Sequence, residues 1–219
     1  MTASSSDRTL ILLGAGGHAA VVAESAIAAG WRILGYCAAE PSREVGCAAL
    51  AAPWLGSIER PNAEGERLLA AGTCVHAAVG EARLREQWSV RFGHERLATI
   101  VHPGTWISPS CALSPGVYVG AFAVVNAMAT IGMSTIVNTG AVVEHGARVG
   151  AYVHLAPRST LAGMVEIGPR TLVGAGAVIL PFVKVGADAI VAAGAVVHRD
   201  VDPQSTVAGV PARPLPARV

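Results

Sequence analysis

Every sixth residue from Val101 to Val197 is Val, Ile or Leu, seventeen positions in succession without an exception. An α-helix does not repeat on six, because 3.6 residues per turn carry such positions around its circumference. An ordinary strand alternates its faces every two residues. A chain that turns once every six residues does fit, with three such sides closing a triangular coil of eighteen. One aliphatic per side then points inward and stacks on its equivalent in the next coil. Four residues after each aliphatic stands a small or β-branched residue, as at Val117, Ala123, Ala129, Thr135, Ala141, Ala147 and Val153. The slot just after the aliphatic is often Gly or Asn, as at Gly120, Asn126, Gly132, Asn138 and Gly150, where the chain has to turn. Seventeen sides make between five and six coils. The frame never breaks, so no long loop leaves the prism.

Composition agrees with that reading. Hydrophobic residues make up 52% of the 219 but aromatic ones only 5%, with 25 Gly and 13 Pro. The apolar content lies in Val, Ile and Ala, which suit tight, repetitive β stacking. A net charge of +1 leaves no electrostatic footprint for nucleic acid. There is no apolar run of eighteen residues, and Met1 to Arg8 is polar, so neither membrane insertion nor a signal peptide is expected. Cys37, Cys47, Cys74 and Cys111 lack any metal-ligand spacing and read as free thiols in a reducing cytoplasm.

Residues 1–98 follow a different grammar. Leu10 to Leu13 predicts a strand ending in Gly14-Ala15-Gly16-Gly17-His18, followed by a helix over Ala19 to Ala29 that Gly30 closes. Strands are predicted over Trp31 to Cys37 and Cys74 to Val79, with a helix over Glu64 to Ala71 between them. A further helix after Gly80 carries Arg83, Leu84 and Gln87. This alternation predicts a small, Rossmann-like parallel α/β domain over 1–98, followed by the prism and its tail over 99–219. The glycine turn lacks the full dinucleotide spacing, since its third position is Ala19 and an acidic residue comes late, at Glu40. Phosphate or sugar-phosphate at the helix N-terminus is the better reading, because backbone N–H groups there favour anions.

A purely structural prism needs no histidine, so Asn138, Glu144-His145 and His154 stand out. Moving an acetyl group from a thioester to an amine or hydroxyl needs a base for the acceptor's proton and a hydrogen-bond donor for the developing oxyanion. A neutral imidazole is a natural base near pH 7. His145 occupies the third slot of its hexad, and the same slot one coil later is Gly163. The two should therefore stack at about 4.8 Å, with a bare peptide N–H beside the ring.

Five segments carry a resemblance over residues 9 to 214: Gly14 to His18, Val79-Gly80-Glu81 with Arg83, Val101-His102-Pro103, Asn138 to His145, and Gly209-Val210-Pro211-Ala212-Arg213. In these the chain resembles the hexapeptide-repeat nucleotide-sugar acetyltransferases, a family that includes sialic acid O-acetyltransferases and N-acetyltransferases of UDP- or GDP-linked 4-amino-sugars. The resemblance implies a left-handed parallel β-helix, a homotrimer, acetyl-CoA as co-substrate without a metal, and a nucleotide-linked amino-sugar as acceptor in surface glycan synthesis. It implies His145 as general base, with the Gly163 amide on the thioester; Glu144, just before the base, is expected to serve in place of the acidic residue that members carry after it. It also implies that Gly14, Gly16, Gly17, His18, Glu81 and Arg83 contact the nucleotide-sugar, and that His154, Gly163, Ala175, Pro211 and Arg213 line the acetyl-CoA groove. Two positions depart from the family. Gly146 stands where members usually carry Asp or Glu after the histidine. Cys37-Ala38-Ala39-Glu40 stands where they carry Asp near the nucleobase.

Other functions are open to weighing. A zinc enzyme on such a prism needs three convergent histidines, and His102, His145, His154 and His198 lack that spacing. A binding protein that has lost turnover is compatible with Gly146. Sugar O-acetylation is the enzymatic alternative. N-acetylation is favoured because an amine needs deprotonation only after attack, whereas a hydroxyl asks more of His145.

Overall fold

The computed structural model describes residues 8–42 and 52–216; Cys47 and the residues before Arg8 lie outside them. The chain divides into two compact units, Met1–Pro103 and Gly104–Val219.

The first unit is built on β1 (Thr9–Leu13), α1 (Gly17–Ala28), β2 (Arg32–Cys37), α2 (Ala63–Ala70), β3 (Cys74–Ala77) and α3 (Ala82–Phe92). The strands form a parallel sheet in the order β2-β1-β3. The central strand is the most apolar, and Leu10, Ile11, Leu12 and Leu13 are all fully buried, as expected for a strand covered on both faces. α1 begins two residues earlier than the sequence suggests, because Gly16 takes the extended N-cap conformation. β3 stops at Ala77, short of the predicted Val79, because the Val79 and Gly80 carbonyls are taken by the Arg85 guanidinium.

His76 on β3 is 1% exposed, and its Nδ1 lies 2.8 Å from the Ala98 carbonyl. That contact assigns the proton to Nδ1 of a neutral ring. Burial pushes its pKa down to about 4; the Ala98 carbonyl works the other way, and the nearby Arg85 charge adds to the depression. The unfolded chain, with its histidine near 6.5, therefore binds the extra proton first. The stabilisation is complete above pH 6.5 and is lost as pH falls towards 4, by on the order of 3 kcal/mol. We expect the urea midpoint of the protein to fall between pH 7 and pH 4.5, and a His76→Gln variant to lose less over that interval. Equal acid sensitivity in the two proteins would refute the assignment.

The second unit is a parallel β-helix. Two-residue strands eighteen apart pair in register, as Ile136-Val137 does with His154-Leu155 and Val142-Val143 with Thr160-Leu161. From Val119 to Val197 every repeat aliphatic is buried, while Ile107 and Leu113 of the first coil are half-buried. From Val117 to Ala195 the second, small register is buried as well; among the described residues the Ser159 hydroxyl has no hydrogen-bond partner, whereas two of its threonines are paired. Thr135 Oγ1 donates to the Gly150 carbonyl at 2.8 Å and Thr171 Oγ1 to that of Gly186 at 2.7 Å. The turning corners force non-glycine residues into the left-handed region, among them Phe122, Met128, Met164 and Phe182.

The three outer faces differ in character. One presents Arg148, Glu166 and Lys184 in a ladder with N–O separations of 3.9 and 3.5 Å. Another presents Trp106, Val124, Val142, Thr160, Val178 and Val196. The third carries Tyr118, Ile136, His154, Leu172 and Ile190 at the same strand position; Tyr118 and Ile136 are buried, His154 is half-buried, and Leu172 and Ile190 are exposed.

Candidate functional site

His145 follows Val142-Val143 and stands at the next corner of the prism, not on the strand itself, with its side chain exposed. The corner column runs Ala127, His145, Gly163, Pro181, one residue per coil. Its rungs are tied by the backbone: the Gly146 amide donates to Ala127, Met164 to His145 and Phe182 to Gly163, at 2.9, 3.0 and 3.1 Å. The imidazole lies directly over Gly163. A Cβ placed on that glycine would sit 2.7 Å from Nδ1 and 2.9 Å from Nε2, and closer still to Cε1. Only a residue without a side chain leaves the ring there.

The amide of the leading corner residue is not used by the ladder, and Gly163 itself is buried beneath the ring. At two corners the preceding side chain caps the leading amide. Asn138 Oδ1 takes the Thr139 amide at 2.8 Å, and Glu144 Oε2 takes the His145 amide at 3.3 Å. Gly163 follows Ala162, which has no acceptor to offer, and among the described residues nothing accepts from the Gly163 amide. Ring and free N–H therefore lie side by side. Glu144 is turned onto the backbone, and among the described residues no carboxylate is hydrogen-bonded to the His145 ring. Gly146, with φ of 64°, has the Met164 sulfur seated against its Cα, in the space a side chain would need.

His154 points outward from the neighbouring face, half-buried, with Nε2 3.2 Å from Asn138 Nδ2. Because Asn138 Oδ1 is committed to the Thr139 amide, Nδ2 is the end that donates, so His154 Nε2 is the acceptor and Nδ1 carries the proton. The sequence marks both residues; their pairing follows from strand register, since His154 lies opposite Ile136. Ala175 is an exposed corner residue, and its neighbour Gly176 has open space around it. Arg213 sits on a short strand antiparallel to Thr206–Ala208, exposed like Pro211. Among the described residues no group of His, Cys, Asp or Glu is placed to hold a metal ion, and no helix is long and apolar enough to cross a membrane.

In the first unit the predicted binding residues gather at the carboxyl edge of the sheet. Gly14, with φ of 115°, packs so tightly that a Cβ would stand 2.8 Å from the Ala78 carbonyl oxygen. Gly16 and Gly17 face open space, and α1 begins there without a side-chain cap. His18 lies half-buried in the first turn of α1. Glu81 caps α3, accepting from the amides of Arg83 and Leu84 at 2.8 and 2.7 Å, and the Arg83 side chain is exposed. Arg85 was not foreseen, because a charge among Arg83, Arg85 and Glu86 reads as a solvated helix face. It is instead 1% exposed.

Two family models match, the PglD N-terminal domain over residues 9–92 and the six-repeat bacterial transferase hexapeptide over 164–199. Among solved structures, the chain is similar to perosamine N-acetyltransferase from Caulobacter crescentus, a histidine-to-asparagine mutant in complex with CoA and GDP-perosamine. Identity is 38% over 96% of this chain and 98% of that one, with a TM-score of 0.87. It is also similar to the acetyltransferase domain of PglB from Neisseria gonorrhoeae in complex with acetyl coenzyme A, at 34% identity over 95% and 99% of the two chains and a TM-score of 0.83. WeeI from Acinetobacter baumannii shares the fold at 22% identity over 95% of this chain and 100% of that one, with a TM-score of 0.77. An α/β unit followed by a hexapeptide-repeat β-helix, matched along nearly its whole length by the Caulobacter and Neisseria acetyltransferases, makes the chain a member of the hexapeptide-repeat nucleotide-sugar acetyltransferase family.

Proposed function

We propose that the protein transfers the acetyl group of acetyl-CoA to the amine of a nucleotide-linked amino-sugar, with His145 as general base and the Gly163 amide as oxyanion donor. The observation that carries this reading is the exposed imidazole stacked over a glycine whose N–H is uncommitted. The amine nitrogen attacks the thioester carbon, and the Gly163 N–H donates to the oxygen as it gains charge. His145 accepts the proton from the new N–C bond's nitrogen. As the C–S bond breaks, that proton passes to sulfur, giving free CoA and the amide. A preorganised donor of this kind contributes about 10²–10³-fold, and a positioned base about 10²–10⁴-fold.

An amine acceptor fits this base better than a hydroxyl. With no carboxylate on the His145 ring among the described residues, the imidazolium gains no partner charge. An amine attacks as a neutral nucleophile and loses its proton only afterwards. The similar Caulobacter enzyme, named for perosamine N-acetylation and crystallised with GDP-perosamine, supports the same acceptor class. The open glycine turn before α1 is suited to the diphosphate. Gly14, Gly16, Gly17 and His18 would hold it, with Glu81 and Arg83 bordering the same edge. The small corner at Ala175, together with His154, Pro211 and Arg213, would line the path of CoA.

The apolar face from Trp106 to Val196, together with the exposed Leu172 and Ile190 of the next face, supports a homotrimer, because an exposed patch of that kind marks an interface. The reading also places the enzyme in the cytoplasm, acting in surface glycan synthesis. A solution mass near three times the 22.2 kDa chain is expected; a monomer at micromolar concentration would contradict it. The decisive assay supplies acetyl-CoA with UDP-, GDP-, dTDP- and CMP-linked amino-sugars and reads thiol release. Release with at least one amino-sugar is expected. Release only with hydroxyl acceptors would replace this reading by O-acetylation, and none at all by a binding role.

A further inference from the structure

Arg85 is the largest fully buried side chain among the described residues, and it carries a charge. Burial pulls its pKa down to about 10, against the opposing pull of Glu81, so the guanidinium stays protonated at neutral pH. Such a group is expensive to bury and is kept only where its donors are satisfied. Here Nη1 donates to the carbonyl of Val79 at 3.0 Å and to that of Gly80 at 2.6 Å. Both carbonyls are thereby turned inward, onto the guanidinium.

The same loop forms one wall of the glycine turn. The Ala78 amide donates to Leu13 at 2.8 Å, and the Ala78 carbonyl oxygen and Val79 Cβ are what a side chain at Gly14 would strike. The loops 13–17 and 78–80 thus run side by side at the carboxyl edge of a parallel sheet, the usual ligand edge of such sheets. A carbonyl oxygen facing that edge would repel a phosphate. Arg85 removes two of them from it and adds a fixed positive charge behind the loop.

We propose that Arg85 is a positioning residue for the anionic part of the acceptor, acting through the Val79–Gly80 loop and through its charge on the glycine turn. This rests on the reading of the acceptor as nucleotide-linked. It predicts a selective loss, in acceptor binding rather than in acetyl transfer.

The test uses the full-length protein with GDP and UDP as calorimetric probes, and steady-state kinetics on the nucleotide-sugar that the thiol-release assay identifies. Arg85→Met should weaken nucleoside diphosphate binding tenfold or more and raise the acceptor KM by a similar factor. The KM for acetyl-CoA and kcat at saturating acceptor should stay within twofold. Arg85→Lys, which keeps the charge but not the fork, should fall between. A general structural defect would instead move both substrates' KM values and kcat together. Glu81→Gln keeps an acceptor for the α3 cap and removes the negative charge beside Arg85. It should tighten diphosphate binding about threefold, a size ordinary for one charge at a helix terminus, and it decides the matter if Arg85→Met does not fold. Folded Arg85 variants with the parent's diphosphate affinity, or no tightening in Glu81→Gln, overturn the proposal. A parent protein that binds neither probe but still releases thiol with a nucleotide-free amino-sugar overturns the nucleotide-linked reading, and this proposal with it.

Discussion

His145→Ala should lower kcat for thiol release by about 10²–10⁴-fold, the range over which a positioned base acts, while leaving the prism folded. The corner explains why the two effects separate. His145 is exposed, and its backbone carbonyl, not its ring, receives the ladder bond from Met164. Removing the imidazole therefore deletes no stacked aliphatic and no rung of the coil. Thermal unfolding should shift little and acetyl-CoA should still bind. Near-parental turnover in the alanine variant would remove His145 from the chemistry altogether.

Gly163→Ala should come close to that loss with a far smaller chemical change. One methyl group there would lie 2.7 Å from Nδ1 and 2.9 Å from Nε2, and a real contact of that kind cannot persist. The ring, being the free end of an exposed side chain, will move before the backbone does. The amide hydrogen survives the substitution, so the damage falls on where the base stands. A misplacement of about 1 Å is enough for a 10²-fold loss in kcat. A double-variant cycle separates this from simple crowding of the thioester. Once His145 is Ala, adding Gly163→Ala should cost little more, because residues acting as one unit are not additive. Two full, multiplicative losses would mean that the glycine serves the thioester alone.

Much of this site can be read without coordinates because a β-helix converts sequence distance into spatial distance. Eighteen residues is one rung, so the pairing of His145 with Gly163 follows from counting, as does the buried register from Val119 to Val197. The glycine turn before α1 is legible for a similar reason, since strand, turn and helix are neighbours in sequence. What sequence does not reveal depends on side-chain direction at places where the period says nothing. Glu144 precedes the base, yet its carboxylate turns back to the His145 amide. Gly146 looks like a missing partner, yet its space is taken by the sulfur of Met164, nineteen residues from His145. Arg85 sits in a charged stretch and is nevertheless the most voluminous buried side chain, because the α3 cap at Glu81 turns that helix face onto the loop after β3.

The rung spacing also governs how this molecule can lengthen or shorten. Removing 109–126 would delete one complete layer, keep every inward aliphatic in phase and leave the imidazole above its glycine. Removing 146–163 would preserve the phase equally well, but Pro181 would then become the layer over His145, and an imino acid has no amide hydrogen to give. Two excisions equivalent to the scaffold would thus differ completely for the reaction, which is confined to a single storey of a building whose floors are otherwise interchangeable.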